Sequence, residues 1–282
     1  MKRFPIAACF SLLTLGSLSV AEDSVTFSAQ PTQVGDRVEQ QVGVEMRLKN
    51  RARRGAEVLE ESETSMVRAQ HRVVTATETE LERVVAALVE FVDASTVHNG
   101  EPSSELVVGK SYLCRREGDD LKITTDQGSL PPLEEYTVVA RAMQTLGTPS
   151  PLAKYLKGRR VVVGERIALP SQVAREALGF DDGLGEVERF ELELIGVETR
   201  GQRSVARFDA EIDAVGAGSG QMRMLIQGPI EIEAESCRVL LADLSGPIAL
   251  MQSRGGITGG YQVDSSGRLT LKTAARRLSP AK

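Results

Sequence analysis

The chain has 282 residues, of which 41% are hydrophobic and 26% are charged, and its formal net charge at pH 7 is −5. An acidic chain without clusters of lysine and arginine argues against nucleic acid or an anionic membrane surface as the main partner. The length is sufficient for one large β domain or two small ones.

Residues 1–21 have the organisation of a secretory signal peptide. A basic start and an apolar run from Ile6 to Leu18 precede small residues that end at Ala21, where signal peptidase requires them. The apolar run is too short to span a bilayer comfortably. We therefore expect cleavage after Ala21 and an exported protein, periplasmic or extracellular, in which residues 22–282 form a single β-rich domain.

The first part of this domain, residues 25–127, is predicted to consist of strands. Residues 34–49 alternate apolar and polar side chains, the period of a strand with one buried and one solvated face. A second long strand is predicted at 56–77. A hairpin with a Gly-Asp-Asp turn then joins 110–117 to 121–125.

The segment from Thr79 to Val92 fits two structures. Its apolar residues have helical spacing, and Thr79 with Glu82 resembles a helix capping box. It is also rich in β-branched residues and lies between predicted strands. We favour a strand, with Leu81 to Arg83 in the turn that precedes it, and a helix remains the alternative.

A helical insert is predicted at residues 131–158. Two prolines open a helix from Leu133 to Leu146, whose apolar residues form one stripe and whose first turn carries two glutamates. Ser150 and Pro151 can start a second, short helix that ends near Gly158. Ser171 can cap a third short helix, residues 171–178.

A strand meander is predicted at residues 187–273, and its central hairpin, Met222 to Leu250, contains the triplet Gly-Pro-Ile on both arms. The apolar rows predict an odd-length loop centred on Cys237, with Ile230 opposite Leu244 and the two triplet glycines side by side. Glycine followed by proline marks a bend or a bulge in a strand.

These elements together predict a mainly β fold. Long, bent antiparallel strands are expected to form a curved sheet or half-barrel around one central helix with short flanking helices. No later segment is long and apolar enough for an integral membrane helix.

Three strands open with a similar phrase that begins Val-Gly, at Val34, Val108 and Val163. The order of a VGK-x-Y phrase at 108–112, a helical insert, a VGE-x-x-x-LP phrase at 163–170 and a terminal meander resembles an uncharacterised family of exported β-rich bacterial proteins. The resemblance covers most of the mature chain, and its motifs are structural. It therefore implies the fold and no activity.

Residues that could carry chemistry are scarce. The two histidines, His71 and His98, are far apart in the sequence and have no nucleophile motif beside them. The glycine-rich segments 216–220 and 255–260 are expected to be hairpin loops, and 180–183 an acidic turn. We nominate no catalytic, metal-binding or cofactor-binding residue and expect no cofactor.

Two cysteines, Cys114 and Cys237, remain after removal of the signal peptide. An exported protein permits a disulfide between them. The sequence favours two separate thiols, because nothing in it brings the two positions together. A disulfide between them remains the alternative.

Three functions fit these expectations. The leading hypothesis is an exported, non-catalytic protein whose concave sheet binds an apolar ligand, such as a lipid, or a lipidated partner. It is motivated by the long one-sided strands and the adaptable side chains of Met222 and Met224. The alternative is an envelope structural or protein-interaction module with a filled core. A carboxylate-based hydrolase that uses the acidic rows around Glu191 and Glu231 is the third.

Overall fold

The structure is a computed structural model that describes residues 23–178, 186–216, 220–254 and 260–279. The expected signal peptide and the acidic turn at 180–183 lie outside these ranges, as do most of the two glycine-rich segments. The elements are β1 (Ser24–Thr26), β2 (Arg37–Arg54), β3 (Glu57–Glu80), β4 (Arg83–His98), β5 (Glu101–Ser104), β6 (Ser111–Glu117), β7 (Asp120–Thr125), α1 (Leu133–Ala142), α2 (Pro151–Leu156), β8 (Arg160–Val162), β9 (Arg166–Ala168), α3 (Ser171–Leu178), β10 (Glu186–Arg200), β11 (Arg203–Val215), β12 (Gly220–Glu233), β13 (Arg238–Arg254) and β14 (Tyr261–Leu278).

Most strands belong to one large antiparallel sheet with the order β7-β6-β4-β3-β2-β14-β13-β12-β11-β10-β9, and β5 pairs with β4 beside this path. The sheet does not close, because β7 and β9 remain its two edges. β1 and β8 form a separate two-stranded sheet. The expected mainly β class with a large, unclosed antiparallel sheet is confirmed.

The segment that fitted both helix and strand is a strand. β3 ends at Glu80 and β4 begins at Arg83, and these two residues pair across a two-residue turn. Leu81 and Glu82 have φ values of 46° and 67°. Two positive φ values in succession are those of a type I′ turn, which normally contains Asn-Gly.

Replacing this turn by its preferred residues is expected to stabilise the protein. The double substitution Leu81→Asn and Glu82→Gly relieves the backbone strain of two residues with positive φ. It should add about 1 kcal/mol to the free energy of unfolding. The ion pair that it removes, Glu82 with Lys157 at 3.5 Å, is exposed and contributes little. Thermal unfolding followed by circular dichroism measures the change. The control Leu81→Ala keeps the strain, so an equal gain from that variant would contradict the explanation.

The β12–β13 hairpin keeps the predicted faces, but its predicted register is wrong by two residues up to Glu231 and by three residues between Ile232 and the loop. Ile230 lies opposite Ala242, and Met224 lies opposite Ile248. The loop has four residues, 234–237, and a register shift follows Glu231. Cys237, with φ of 54°, is the last loop residue, not the centre of an odd loop. Because the slip from Met222 to Glu231 is an even number of residues, the apolar row of that part still faces inward.

Three glycines of the large sheet lie against the backbone of a neighbouring strand. A Cβ on Gly246 would overlap the carbonyl oxygen of Leu225, and one on Gly267 would overlap that of Arg47. Gly228 makes a similar approach to Asp243. The two triplet glycines therefore each face a neighbouring backbone, and do not lie side by side as the sequence predicted.

Two separate hydrophobic cores lie on opposite halves of the large sheet. The first packs α1 against β4, β6 and β7, and the second packs α2 and α3 against β10 to β13. Cys114 belongs to the first core and Cys237 to the second, and both thiols are free. The largest fully buried side chains of the first core are Val89, Phe91, Tyr112 and Ile123, and those of the second are Phe27, Leu156, Leu192, Leu194, Phe208, Ile212, Ile226 and Ile232.

Helix α1 ends at Ala142, four residues before the predicted end at Leu146. The guanidinium of Arg116, on β6, donates hydrogen bonds to the backbone carbonyl oxygens of Gln144 and Leu146, at 2.5 and 2.9 Å. These carbonyls are therefore satisfied from outside the helix, and the chain turns. The second predicted helix is confirmed, with the Ser150 hydroxyl accepting from the Ala153 amide. The third is confirmed as α3.

Candidate functional site

A cleft of about 600 Å³ lies between the two cores. Its floor is formed by the first residues of β2 and the last residues of β3, including Val38, Gln40, Arg72 and Val74. Its walls are the C-terminal end of α1, the turn that follows it, α2, the β3–β4 turn and residues of two loops, 29–32 and 236–238. The helices therefore leave part of the hollow of the sheet open.

The floor of the cleft continues into an apolar strip on the same face of the sheet. Val38 and Gln40 share a row of β2 with Val42, Val44 and Met46 because side chains alternate along a strand. The last three are half-buried. On β14, Leu271 lies opposite Val44, and Leu269 lies opposite Met46. The row from residue 38 to residue 48 spans roughly 33 Å.

The cleft is rich in cations. Asp36 already bonds Arg277, outside the lining, and Glu82 is paired with Lys157 at 3.5 Å. Within the described part of the chain, the other lining cations have no carboxylate within ion-pair distance. The lining cations are Arg72, Arg83, Lys154, Lys157 and Arg238, and the lining acids are Asp36 and Glu82.

Arg72 is the most enclosed of these cations. Its Nε donates to the amide oxygen Oε1 of Gln40 at 2.9 Å, a neutral partner. Burial lowers the pKa of Arg72 to about 10, because the charged guanidinium has lost water and gained no counter-ion. The group still carries its charge at neutral pH. A charge in this position is costly and is normally compensated by an opposite charge.

Arg238 opens β13 on the other side of the cleft. Its guanidinium lies 3.4 Å from the hydroxyl oxygen of Thr32, again a neutral partner. Burial lowers the pKa of Arg238, and the nearby charges of Glu233 and Asp36 offset part of that effect. Two arginines with neutral hydrogen-bond partners therefore line one cleft.

His71 and His98 are not brought together in the structure. His71 lies on the opposite face of the sheet from Arg72, and its Nε2 is 2.7 Å from the carboxylate oxygen Oε1 of Glu39. Glu39 also bonds Arg276, and these hydrogen bonds lower its pKa. His98 ends β4. Among the described residues, no group of three or more His, Cys, Asp or Glu side chains is placed to hold a metal ion.

The acidic rows lie on the side of the sheet away from the second core. Glu191 is opposite Glu211 and Glu193 is opposite Asp209, in a shallow depression of about 350 Å³. The Nε of Arg166 donates to Glu193 at 2.6 Å, and Arg189 pairs with Glu211. These carboxylates are therefore partly neutralised by neighbouring arginines and are open to solvent.

Sequence reasoning missed both cleft arginines. The available signal was the inward row of β3, which carries Arg68, Gln70 and Arg72 before it becomes apolar at Val74. Arg68 is compensated, since its guanidinium lies 3.0 Å from Glu105. A charged residue on an inward row indicates an internal partner or a ligand, and the sequence alone does not distinguish the two.

The fold and the cleft define an open, curved antiparallel β protein with a basic cleft on the helix side of its sheet. No protein-family model and no curated protein matches the chain. The resemblance to a family of exported bacterial proteins therefore stays a prediction. No helix in the described ranges is long and apolar enough to cross a membrane.

Two solved structures are weakly similar. One, "Lipid-protein interactions in lipovitellin", has 7% sequence identity and a TM-score of 0.35 over 89% of this chain. This chain spans only 26% of that lipovitellin chain. The other, MucB in complex with MucA(peri), has 9% identity and a TM-score of 0.10, covering 81% of this chain and 88% of that one. TM-scores this low do not establish a shared fold.

Proposed function

We propose that this protein is exported and that it binds an apolar ligand, such as a lipid or the acyl chain of a lipidated partner, without catalysing a reaction. The observation that carries the proposal is the open cleft of about 600 Å³ between the cores, whose floor continues into the strip of Val42, Val44 and Met46. Ligand pockets commonly have this volume and combine apolar walls with a few polar groups.

The open cleft favours this proposal over the alternative, a structural or interaction module with a filled core. In that alternative, helix α1 would occupy the hollow. Instead, α1 buries Val139 against β4, β6 and β7. Most inward residues of the middle strands β2 and β14 remain half-buried. An apolar strip of half-buried residues gains free energy when a ligand covers it, at about 25 cal/mol for each Å² removed from water.

Purification from the native source, followed by extraction and mass spectrometry of bound lipids, tests the proposal directly. We expect a lipid or another amphipathic molecule to be recovered in stoichiometric amount. Protein that is consistently empty, and that also fails to bind a neutral apolar probe, would support the structural alternative instead.

Placing a carboxylate on the apolar strip should weaken binding of the neutral probe N-phenyl-1-naphthylamine. Val44→Asp puts a charge where the probe is expected to lie, and we expect at least about a tenfold loss of affinity. Probe fluorescence measures it, and circular dichroism confirms that the variant is folded.

The matched control is Gln41→Asp, which adds the same charge to the opposite face of β2, where the side chain is exposed. Its affinity should equal that of the unchanged protein. Val44→Thr, which alters polarity with little change of shape, covers the case in which Val44→Asp does not fold. Equal probe affinity in all folded variants would mean that the strip is not the binding surface.

A further inference from the structure

We propose that the cleft receives the anionic end, a carboxylate or a phosphate, of an acyl-chain ligand, with Arg72 as its principal counter-ion and Arg238 as a second cation. This inference deepens the proposed function and rests on it. It names the chemical class of the ligand and the orientation in which the ligand lies: charged group in the cleft, chain along the apolar strip.

The first argument is the missing counter-ion. Elsewhere on the middle strands, inward or partly covered arginines have carboxylates beside them: Arg68 lies 3.0 Å from Glu105, and Arg277 bonds Asp36. Arg72 and Arg238 contact the neutral oxygens of Gln40 and Thr32 instead. An anion from a ligand would supply the counter-ion that Arg72 lacks among the described residues, and would add to the partial compensation that Arg238 receives from Glu233 and Asp36.

The second argument is the distribution of charge around the cleft. Arg72 lies on β3 and Arg238 on β13, and the two intervening strands separate them by roughly 14 Å across the sheet. Lys154 and Arg83 add exposed positive charge to the lining, whereas Asp36 and Glu82 are engaged. An anionic group that enters the cleft therefore meets positive potential from several sides, although the whole chain is acidic.

The third argument is continuity between the charged and apolar surfaces. Arg72 lies opposite Gln40, and the next inward residue of β2 is Val42, where the strip begins. A ligand whose charged end contacts Arg72 can extend its chain over Val42, Val44 and Met46 without leaving the face of the sheet. A small free anion would use the arginines and leave this strip bare.

The test compares two ligands that share one chain and differ in charge, dodecanoate and 1-dodecanol. Each displaces N-phenyl-1-naphthylamine from the full mature protein, and the displacement gives its affinity. We expect dodecanoate to bind at least about tenfold more tightly than the alcohol, because a charge-assisted contact with a buried guanidinium favours only the acid. Arg72→Gln should remove most of that preference and leave the affinity for 1-dodecanol unchanged within about twofold.

Controls separate this inference from the proposed function. Arg268→Gln changes an exposed arginine on the opposite face of the sheet and should leave both affinities unchanged. Arg238→Gln should reduce the preference for the acid by a smaller factor than Arg72→Gln. Equal binding of acid and alcohol, or equal loss of both in Arg72→Gln, would overturn the counter-ion role and leave apolar binding intact.

Two further outcomes have distinct meanings. If neither ligand nor the probe binds, the proposed function itself fails. Inorganic phosphate without a chain is the remaining probe: we expect it to bind far more weakly than dodecanoate. Phosphate binding of equal strength that depends on Arg72 would show a site for free anions and would overturn the assignment of an acyl-chain ligand.

Discussion

Gly267→Ala is expected to destabilise the protein by about 3 kcal/mol, or to prevent its folding. Gly267 lies on β14 opposite Ile248 of β13 and Leu48 of β2. A Cβ at this position would overlap the backbone carbonyl oxygen of Arg47 on the neighbouring strand. Because the obstacle is backbone in the middle of the sheet, a side-chain rotation cannot relieve the overlap, and the strands must separate.

Urea unfolding followed by circular dichroism measures this loss, since the chain has no tryptophan for fluorescence. The control is Gly43→Ala on β2, where the nearest atoms to a new Cβ belong to Lys272, at 3.8 and 3.9 Å, an ordinary contact. The free energy of unfolding of that variant should lie within about 0.5 kcal/mol of that of the unchanged protein. If Gly267→Ala were equally harmless, the close approach of β14 to the Arg47 carbonyl of β2 would not be required for stability.

Glu135→Gln is expected to cost about 2 kcal/mol of unfolding free energy at neutral pH. The buried carboxylate of Glu135 on α1 accepts from the Lys110 ammonium at 2.7 Å and from the Tyr112 hydroxyl at 2.6 Å. These bonds attach α1 to β6 and the turn before it. The hydrogen bonds from Lys110 and Tyr112 lower the pKa of Glu135, while burial and the neighbouring carboxylate raise the pKa of Tyr112.

The lowered pKa of Glu135 determines how the effect of Glu135→Gln on stability depends on pH. A carboxyl whose pKa is lower in the folded protein contributes stability above its ordinary value of 4.5, and this contribution is lost as the pH falls below that value. The difference in stability between Glu135→Gln and the unchanged protein should therefore be largest at neutral pH and shrink below about pH 4. Urea titrations at a series of pH values measure the difference.

Glu134→Gln is the matched control, because Glu134 is the exposed neighbour on the same first turn of α1. Both changes remove one negative charge near the helix N-terminus, so the general effect on the helix dipole is shared. A loss of similar size and pH dependence in Glu134→Gln would show that the dipole, and not the bonds to Lys110 and Tyr112, is responsible.

Alternation of side chains allowed most of the large sheet to be predicted. The hairpin of β12 and β13 illustrates both its strength and its limit. The alternation of apolar and polar side chains predicts which of them face inward, because a slip by one residue would expose Ile230 and Met224. A slip by two residues leaves those faces unchanged, so the hydrophobic pattern could not determine the register. The four-residue loop and the register shift after Glu231 determine it instead.

Features that depend on distant segments were not predictable. β8 is a strand because Val161 pairs with Val25, more than a hundred residues earlier. Helix α1 ends early because Arg116 binds the carbonyls that follow it. The cleft likewise results from the separation of two cores. That the described carboxylates lie beyond ion-pair distance of Arg72 and Arg238, whose hydrogen-bond partners are the neutral oxygens of Gln40 and Thr32, is visible only in three dimensions.

The unclosed sheet has a mechanical consequence for the ligand that we propose. In a closed cylinder of strands, widening the bore requires a row of inter-strand hydrogen bonds to break. Here the margins β7 and β9 are not joined to each other, so the walls can move apart or together by a change in strand coiling while every ladder stays paired. The opening between the two margins can therefore adjust to ligands of different width without the loss of inter-strand hydrogen bonds.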